Sequence, residues 1–430
     1  MLSTILIVIF ILGYTAIAFE HPLHINKTAP ALLIGGLMWA VWALMDFNNI
    51  HFIEESLEVQ LAETASILFF LMGAMTIVEL INAHKGFDII TNRITTNNPK
   101  ILLWLVGALA FFLSAILDNL TTSIVMVTLL RKLVYDRNTR IVFCGMVIIA
   151  ANAGGAWSPI GDVTTTMLWI GKQISAVNIV KTLFIPSVVC AVVPLAVLSF
   201  SLKGTLDRPR VDKNLSDEDE RVHGSLLILI LGVSALLFVP VFKTVTHLPP
   251  YLGMLFGLSI LWIVSEVLHK GKSHEEKKPY TAVYALSKID VPSILFFLGI
   301  LLAIGTLQGT GVLRIVAEYL DNTLGNKDVI AIVIGLLSAI VDNVPVVAAT
   351  MKMYSLSDFP MDAKLWEFIA YAAGTGGSCL IIGSAAGVAV MGMEKIDFIW
   401  YLKKIAWLAF IGYIAGAFTY MAIYPIFAVH

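Results

Sequence analysis

Ten runs of mainly apolar residues recur along this 430-residue chain, near 2–19, 28–45, 62–83, 141–170, 178–202, 225–242, 249–268, 291–309, 366–393 and 405–427. Each is long enough to cross a bilayer as a helix, which takes ~20 residues. A soluble domain would interleave polar residues at helical or strand spacing, and these runs do not. Only 13% of residues are charged, against the about 25% of ordinary soluble domains, too few to coat a globule of this size. The chain therefore reads as an all-α integral membrane protein, and its charges show no basic surface that would suit nucleic acid.

Two further apolar segments, 101–130 and 328–351, carry an Asp-Asn pair near the middle. If both cross the membrane, the loops place 12 Lys and Arg on one side and 16 on the other. If both dip in and return, 21 of the 28 share one side and 7 remain opposite. The positive-inside rule selects the second arrangement, with the 21 in the cytoplasm and both termini outside. The segments are thus expected to be re-entrant hairpins, tolerated in a bilayer where protein or water shields the non-helical tip. Met1 to Phe19 has no positive n-region, and Glu20-His21-Pro22 follows where a cleavage site would need small residues, so a retained first span is expected. Cys144, Cys190 and Cys379 lie inside apolar runs without paired spacing and read as buried thiols.

An internal repeat supports this count. Ser66-Ile-Leu-Phe-Phe-Leu71 recurs at 293–298, Ser114-Ala-Ile-Leu-Asp-Asn119 as Ser338-Ala-Ile-Val-Asp-Asn343, and Gly154-Gly155 with Gly161 as Gly376-Gly377 with Gly383. The order is the same and the offset drifts slowly from 227 to 222. Each half has five crossings and one hairpin, and because five is odd the second half is inverted relative to the first. The expected units are a first repeat over 1–202 (hairpin 101–135, broken helix 141–170), a cytoplasmic linker over 203–224 containing the acidic run 217–220, and a second repeat over 225–430 (hairpin 327–354, broken helix 366–393). Inverted repeats place substrate near the bilayer midplane, between the halves.

The polar residues inside these segments carry the chemistry. Asp118 follows an almost wholly apolar stretch, where a carboxylate costs ~3 kcal/mol on insertion scales and so marks a functional site. Capping the next half-helix is the plainer role, compatible with ion binding at a tip. Pro345 stands where Thr121 stands in the first copy and suits the first turn of a new helix after Asp342-Asn343. Gly154-Gly155-Ala-Trp-Ser158-Pro159-Ile-Gly161-Asp162 cannot propagate a helix, which frees carbonyls for a cation. The matching break runs from Gly376 to Ser384, with Ser384 in place of Asp162. Close packing of small residues explains the glycines but not Asp162. The candidate ligands are Asp118, Asn119, Thr121, Thr122, Ser158, Asp162, Asp342, Asn343, Ser378 and Ser384, with Asp118 and Asp162 primary. No Lys or Arg lies in the central parts of these segments, so the site is expected to have no cationic partner, to repel anions and to accept a hard cation or a proton.

The Asp-Asn tips, the Gly154–Asp162 break and the opening Phe19-Glu-His-Pro-Leu-His-Ile-Asn-Lys27 resemble the NhaD-type sodium/proton antiporters of the ion transporter superfamily. The likeness spans essentially the whole chain. It implies exchange of cytoplasmic sodium or lithium for external protons by an elevator-like motion of the hairpin-bearing part, in a multi-pass protein of the cell inner membrane that assembles as a homodimer. It implies no cofactor beyond the transported ion and no enzymatic activity. Relatives in that superfamily carry dicarboxylates, with Ser-Asn-Thr at the tips, or arsenite; Asp at both tips argues against an anion. An intramembrane aspartyl protease would also hold two aspartates, but those proteases have Gly-x-Gly-Asp where this chain has Pro159-Ile-Gly-Asp162, and the repeat would be unexplained.

Several charged residues have two readings. Glu79 and His84, at the cytoplasmic end of the third run, could sense pH or be ordinary interfacial residues, as could Glu20, His21 and His24. The loop with Glu54, Glu55 and Glu58 could concentrate cations near the outer mouth or simply be solvated.

Overall fold

Apolar runs become discrete helices here because Asn, Asp, Ser and Pro mark where many of them begin. Asn98 accepts from the amides of Lys100 and Ile101, Asp136 from Thr139, Ser175 from Asn178, Asp290 from Ser293 and Asp397 from Trp400. Each such cap satisfies an amide that the first helical turn leaves without a partner. The computed structural model describes residues 1–18, 20–91, 94, 96–202, 204, 206, 222, 224–271 and 273–427. Most of the 203–224 linker, with its acidic run, and Phe19 lie outside the described residues.

The first half contains α1 (Leu2–Ala18), α2 (Thr28–Met45), α3 (Ile50–Ala83), α4 (Pro99–Ser114), α5 (Asn119–Leu133), α6 (Arg137–Ala156), α7 (Val163–Ile170) and α8 (Ala176–Ser201). The second contains α9 (Ser225–Thr246), α10 (Pro250–Leu268), α11 (Val291–Gly309), α12 (Val312–Leu324), α13 (Lys327–Leu337), α14 (Asn343–Met353), α15 (Lys364–Gly376), α16 (Ala385–Glu394), α17 (Phe398–Lys404) and α18 (Ala406–Phe427). Among the described residues, eight helices are long and apolar enough to cross a membrane, and the secondary structure is helical throughout. The protein is a multi-pass membrane protein. Cys144, Cys190 and Cys379 are buried and unbonded.

The expected acidic loop around Glu54, Glu55 and Glu58 is a correction. These residues belong to α3, which continues the apolar span outward as one helix from Ile50. Residues 50–61 hold no Gly or Pro and are rich in Glu, Leu and Gln, which hold a helix even where they are solvated.

The helices pack in two groups. In one, α2 packs along α11 and α1, while α3 packs on α10, α11 and α9. In the other, α8 lies along α18 and α6, α4 packs on α6, and α15 on α13 and α18. α14 touches both groups, meeting α11 on one side and α7 and α15 on the other.

Each Asp-Asn segment is a pair of half-helices, and in the second the outer ends lie close together. In the first, Lys132 at the end of α5 is 3.8 Å from Asp88, which lies eleven residues before α4 begins at Pro99. Lys327, at the start of α13, lies 4.2 Å from the ring centre of Tyr354, just past α14, and both side chains reach Asp321. Matching contacts recur in the two halves. The Ser114 hydroxyl donates to the Ala151 carbonyl at 2.6 Å and the Ser338 hydroxyl to the Ala373 carbonyl at 3.1 Å. A Cβ on Gly154 would sit 2.0 Å from the Phe111 carbonyl oxygen, and one on Gly376 would sit 2.1 Å from that of Gly335. The tip helix of each half also crosses to the other: α5 packs on α16 and α14 on α7.

Candidate functional site

Where the two halves cross, polar side chains converge from six helix ends. Asp162 is the N-cap of α7, and its Oδ1 accepts from the Thr164 amide at 3.2 Å. Its Oδ2 faces the other half, where Asn343 at the start of α14 donates from Nδ2 at 3.4 Å. Ser384 holds the same position in the second half, as N-cap of α16, accepting from the Gly387 amide at 3.2 Å. It too meets the opposite tip, through Asn152. Asn119 donates to the Asn152 carbonyl oxygen at 3.0 Å, and the Asn152 amide donates to the hydroxyls of Ser378 at 2.8 Å and Ser384 at 3.0 Å. Each tip asparagine therefore reaches the restarted half-helix of the other half.

The site is buried and oxygen-rich. Asn119, Thr122, Asn152, Ser158, Asp162, Asn343, Ser378 and Ser384 are all buried. Asp118 and Asp342 are close enough to Asp162 to act on it electrostatically. Thr122 lies one helical turn beyond Asn119, so the two share a face; its hydroxyl has no hydrogen-bond partner among the described residues. A buried, unpaired hydroxyl in the first turn after the tip suits a ligand to a hard cation. Ser158 is placed differently, its hydroxyl donating at 2.5 Å to the carbonyl of Ala115, where it ties the break to the first tip.

Asp118 occupies a backbone region, φ +125° and ψ +162°, that side chains rarely adopt. Its Oδ1 accepts from the Thr121 amide at 2.7 Å and its Oδ2 from the Thr121 hydroxyl at 2.9 Å, so the tip's own loop holds the carboxylate. Strain of this kind persists only where the surroundings over-determine it, and it clusters at functional sites. A cavity of about 320 Å³ reaches this tip at Leu120 and Thr121, past Glu79, Asp88 and Lys288.

Asp342 corrects the expectation of a site without a cationic partner. Lys27, in the turn before α2, places its Nζ 2.9 Å from Asp342 Oδ2. Proximity along the chain does not reveal this pair, since the residues are 315 positions apart. The one hint was Lys27 ending a polar opening motif otherwise without a role. Asn152 was also missed; its signal is a lone amide in the apolar run Ile148-Ile-Ala-Ala-Asn152, two residues before the first glycine of the break. His84 instead joins a buried cluster away from the site, its Nε2 3.1 Å from that of His269, with Tyr280 packed against both rings.

A sequence model of the citrate transporter family matches residues 7–364. The chain is 50% identical over 418 residues, 97% of its length and 72% of the relative's, to sodium/proton antiporter 1 of Arabidopsis thaliana. It is 47% identical to sodium/proton antiporter 2 of the same plant, over 97% of this chain and 98% of that one. The Na(+)/H(+) antiporter NhaD of Vibrio cholerae is 32% identical over 92% of this chain and 87% of its own. The chain belongs to the NhaD-type antiporter family.

Proposed function

We propose that the protein exchanges cytoplasmic Na⁺, or Li⁺, for external H⁺, with ion and proton competing for the carboxylates of Asp118 and Asp162. One observation carries this reading: Asp162, the cap of one broken helix, is met in a buried, oxygen-lined junction by the tip of the opposite half. Asn119, Asn343, Ser378, Ser384 and the hydroxyls of Thr121 and Thr122 complete a hard-ion ligand set, and Asp342 either adds to it or carries a separate proton. Competition makes coupling automatic, because the site moves loaded with cation or with proton and not with both.

The same reading takes the two Asp-Asn segments as re-entrant hairpins of an inverted repeat, divided as 1–202 and 225–430. The close outer ends of α13 and α14 and the matching contacts of Ser114 and Ser338 support it. The packing of the helices in two groups supports an elevator-like motion, in which α4 to α8 and α13 to α18 move against the rest. The family resemblance supports location in the cell inner membrane and assembly as a homodimer.

Reconstituted protein with a pH-sensitive dye inside the liposomes tests the exchange. Asp118→Asn and Asp162→Asn are each expected to remove Na⁺-dependent proton flux, and wild-type rates in both would overturn the reading. The competing reading is a transporter of the same fold for another substrate, a dicarboxylate or arsenite, to which the name of the matching family adds citrate. It predicts citrate, dicarboxylate or arsenite flux without sodium/proton exchange, and an uptake panel in the same liposomes separates the two.

A further inference from the structure

The ammonium of Lys27 lies beside a residue of the proposed site yet belongs to the other helix group. Its stem leaves the turn between α1 and α2, and the Lys27 amide donates to Glu20 Oε1 at 3.2 Å. The neighbouring Thr28 hydroxyl donates to the Pro292 carbonyl at 2.8 Å, fixing the turn to the start of α11. Nζ sits 4.4 Å from the centre of the Phe296 ring, also on α11, and 2.9 Å from Asp342 Oδ2. Among the described residues, Glu20, Asp290 and Tyr14 are further charged or titratable groups close to the pair. The side chains of Lys27 and Asp342 are 20% and 12% exposed, so water screens the pair little.

We propose that Lys27 is a tethered cation that neutralises Asp342 in this conformation, and that a transported cation or a proton must replace it before the second tip can move away. The inference rests on the exchange reading above and deepens it. Lys27 stays with α2 and α11, whereas Asp342 travels with its tip. If the tip leaves unloaded, it strands a buried carboxylate with no cation beside it and only the Val344 amide, at 3.5 Å from Oδ1, among its described donors, which is strongly unfavourable. A sodium ion or a proton on Asp342 removes that penalty, and the freed ammonium turns to Glu20 and Asp290. Lys27 thus opposes movement of the empty carrier and competes with sodium for Asp342. It is a positioning residue that enforces coupling and transports nothing itself.

The test uses the full chain in proteoliposomes and reads two quantities. One is the half-saturating Na⁺ concentration of exchange; the other is the ratio of ²²Na⁺ leaving to protons entering during efflux into sodium-free buffer with voltage clamped. Lys27→Met is expected to lower the half-saturating concentration about tenfold, equivalent to about 1.4 kcal/mol, and to raise the Na⁺ lost per proton gained above the fixed wild-type ratio, because the empty carrier can then return. Lys27→Arg is expected to restore both values. In an Asp342→Asn background, Lys27→Met is expected to change neither. Wild-type values in folded Lys27→Met protein, or the same shift with Asp342 already neutral, would overturn the proposal.

A second measurement needs no variant. Acetylation of Lys27 in the wild-type protein, followed by mass spectrometry, is expected to rise several-fold in saturating Na⁺ and not in choline; labelling indifferent to Na⁺ would overturn the proposal as well. Failure of the exchange reading shows separately, as absent sodium/proton exchange in the wild type or unimpaired exchange in Asp162→Asn.

Discussion

The two tips share a backbone plan and differ in what answers their aspartates. Asp118 is held in a strained conformation by the amide and hydroxyl of Thr121, three residues along its own loop. Asp342 has a negative φ of −37°, takes a long 3.5 Å bond from the Val344 amide of its own loop, and is answered at 2.9 Å by Lys27 from the other helix group. A carboxylate satisfied by its own loop takes its partners along when the loop moves, and one satisfied from elsewhere leaves its partner behind. The restarted helices differ in the same sense, with charged Asp162 capping α7 and neutral Ser384 capping α16. The first half therefore brings two carboxylates to the junction, and the second brings one that is already neutralised.

Erasing the difference between the caps has the largest expected effect. Asp162→Ser copies the second half into the first and preserves the cap, so stability should move by no more than about 0.5 kcal/mol. Na⁺-dependent proton flux should fall to that of protein-free liposomes, read with the entrapped dye. Retained flux would show that the charge at this cap is dispensable.

The far ends of the restarted helices offer a second contrast. Glu394, at the end of α16, is buried and paired with Arg140 at 2.9 Å and Arg131 at 2.6 Å. The end of α7 is held by Lys243, which donates to the Trp169 carbonyl at 2.7 Å. Removing one partner of a buried ion pair leaves charge uncompensated, so Glu394→Ala should cost about 3 kcal/mol. Lys243→Met removes a single charged hydrogen bond and should cost about 1.5 kcal/mol. Thermal unfolding in detergent gives both values, and an inverted order would break the comparison.

A smaller effect tests the strain. Asp118→Gly relieves the backbone and forfeits little of the cap, so it should gain about 1 kcal/mol of stability while transport is lost. Asp342→Gly has no strain to release and should lose stability. The smallest effect belongs to Thr122→Val, which gives the first tip the side chain that Val346 supplies in the second. Losing one neutral oxygen ligand should raise the half-saturating Na⁺ concentration about threefold, in line with about 0.7 kcal/mol. An unchanged value would remove Thr122 from the site.

The positions of these breaks were legible in the chain because they are local. Two glycines and a proline within a few residues end a helix wherever they occur, Asp and Ser restart one by capping it, and twenty apolar residues have few alternatives to a buried helix. The doubled Asp-Asn and Gly-Gly patterns marked matching places in both halves for the same reason. Local pattern misjudged residues 50–61, where charge suggested a loop although nothing interrupts the helix. It also left Asn152 unremarked, because one amide in an apolar run gives no sign of meeting Asn119, Ser378 and Ser384.

By itself the sequence determined the helices, their interruptions and the membrane-protein class, all set by hydropathy and backbone chemistry over a few turns. Which interruptions face each other was decided only by the tertiary structure, as were the meeting of Asp162 with Asn343 and the pairing of Asp342 with Lys27. Those contacts join residues 181 and 315 positions apart. Such distances are closed by the packing of whole helices, and no spacing along the chain encodes them.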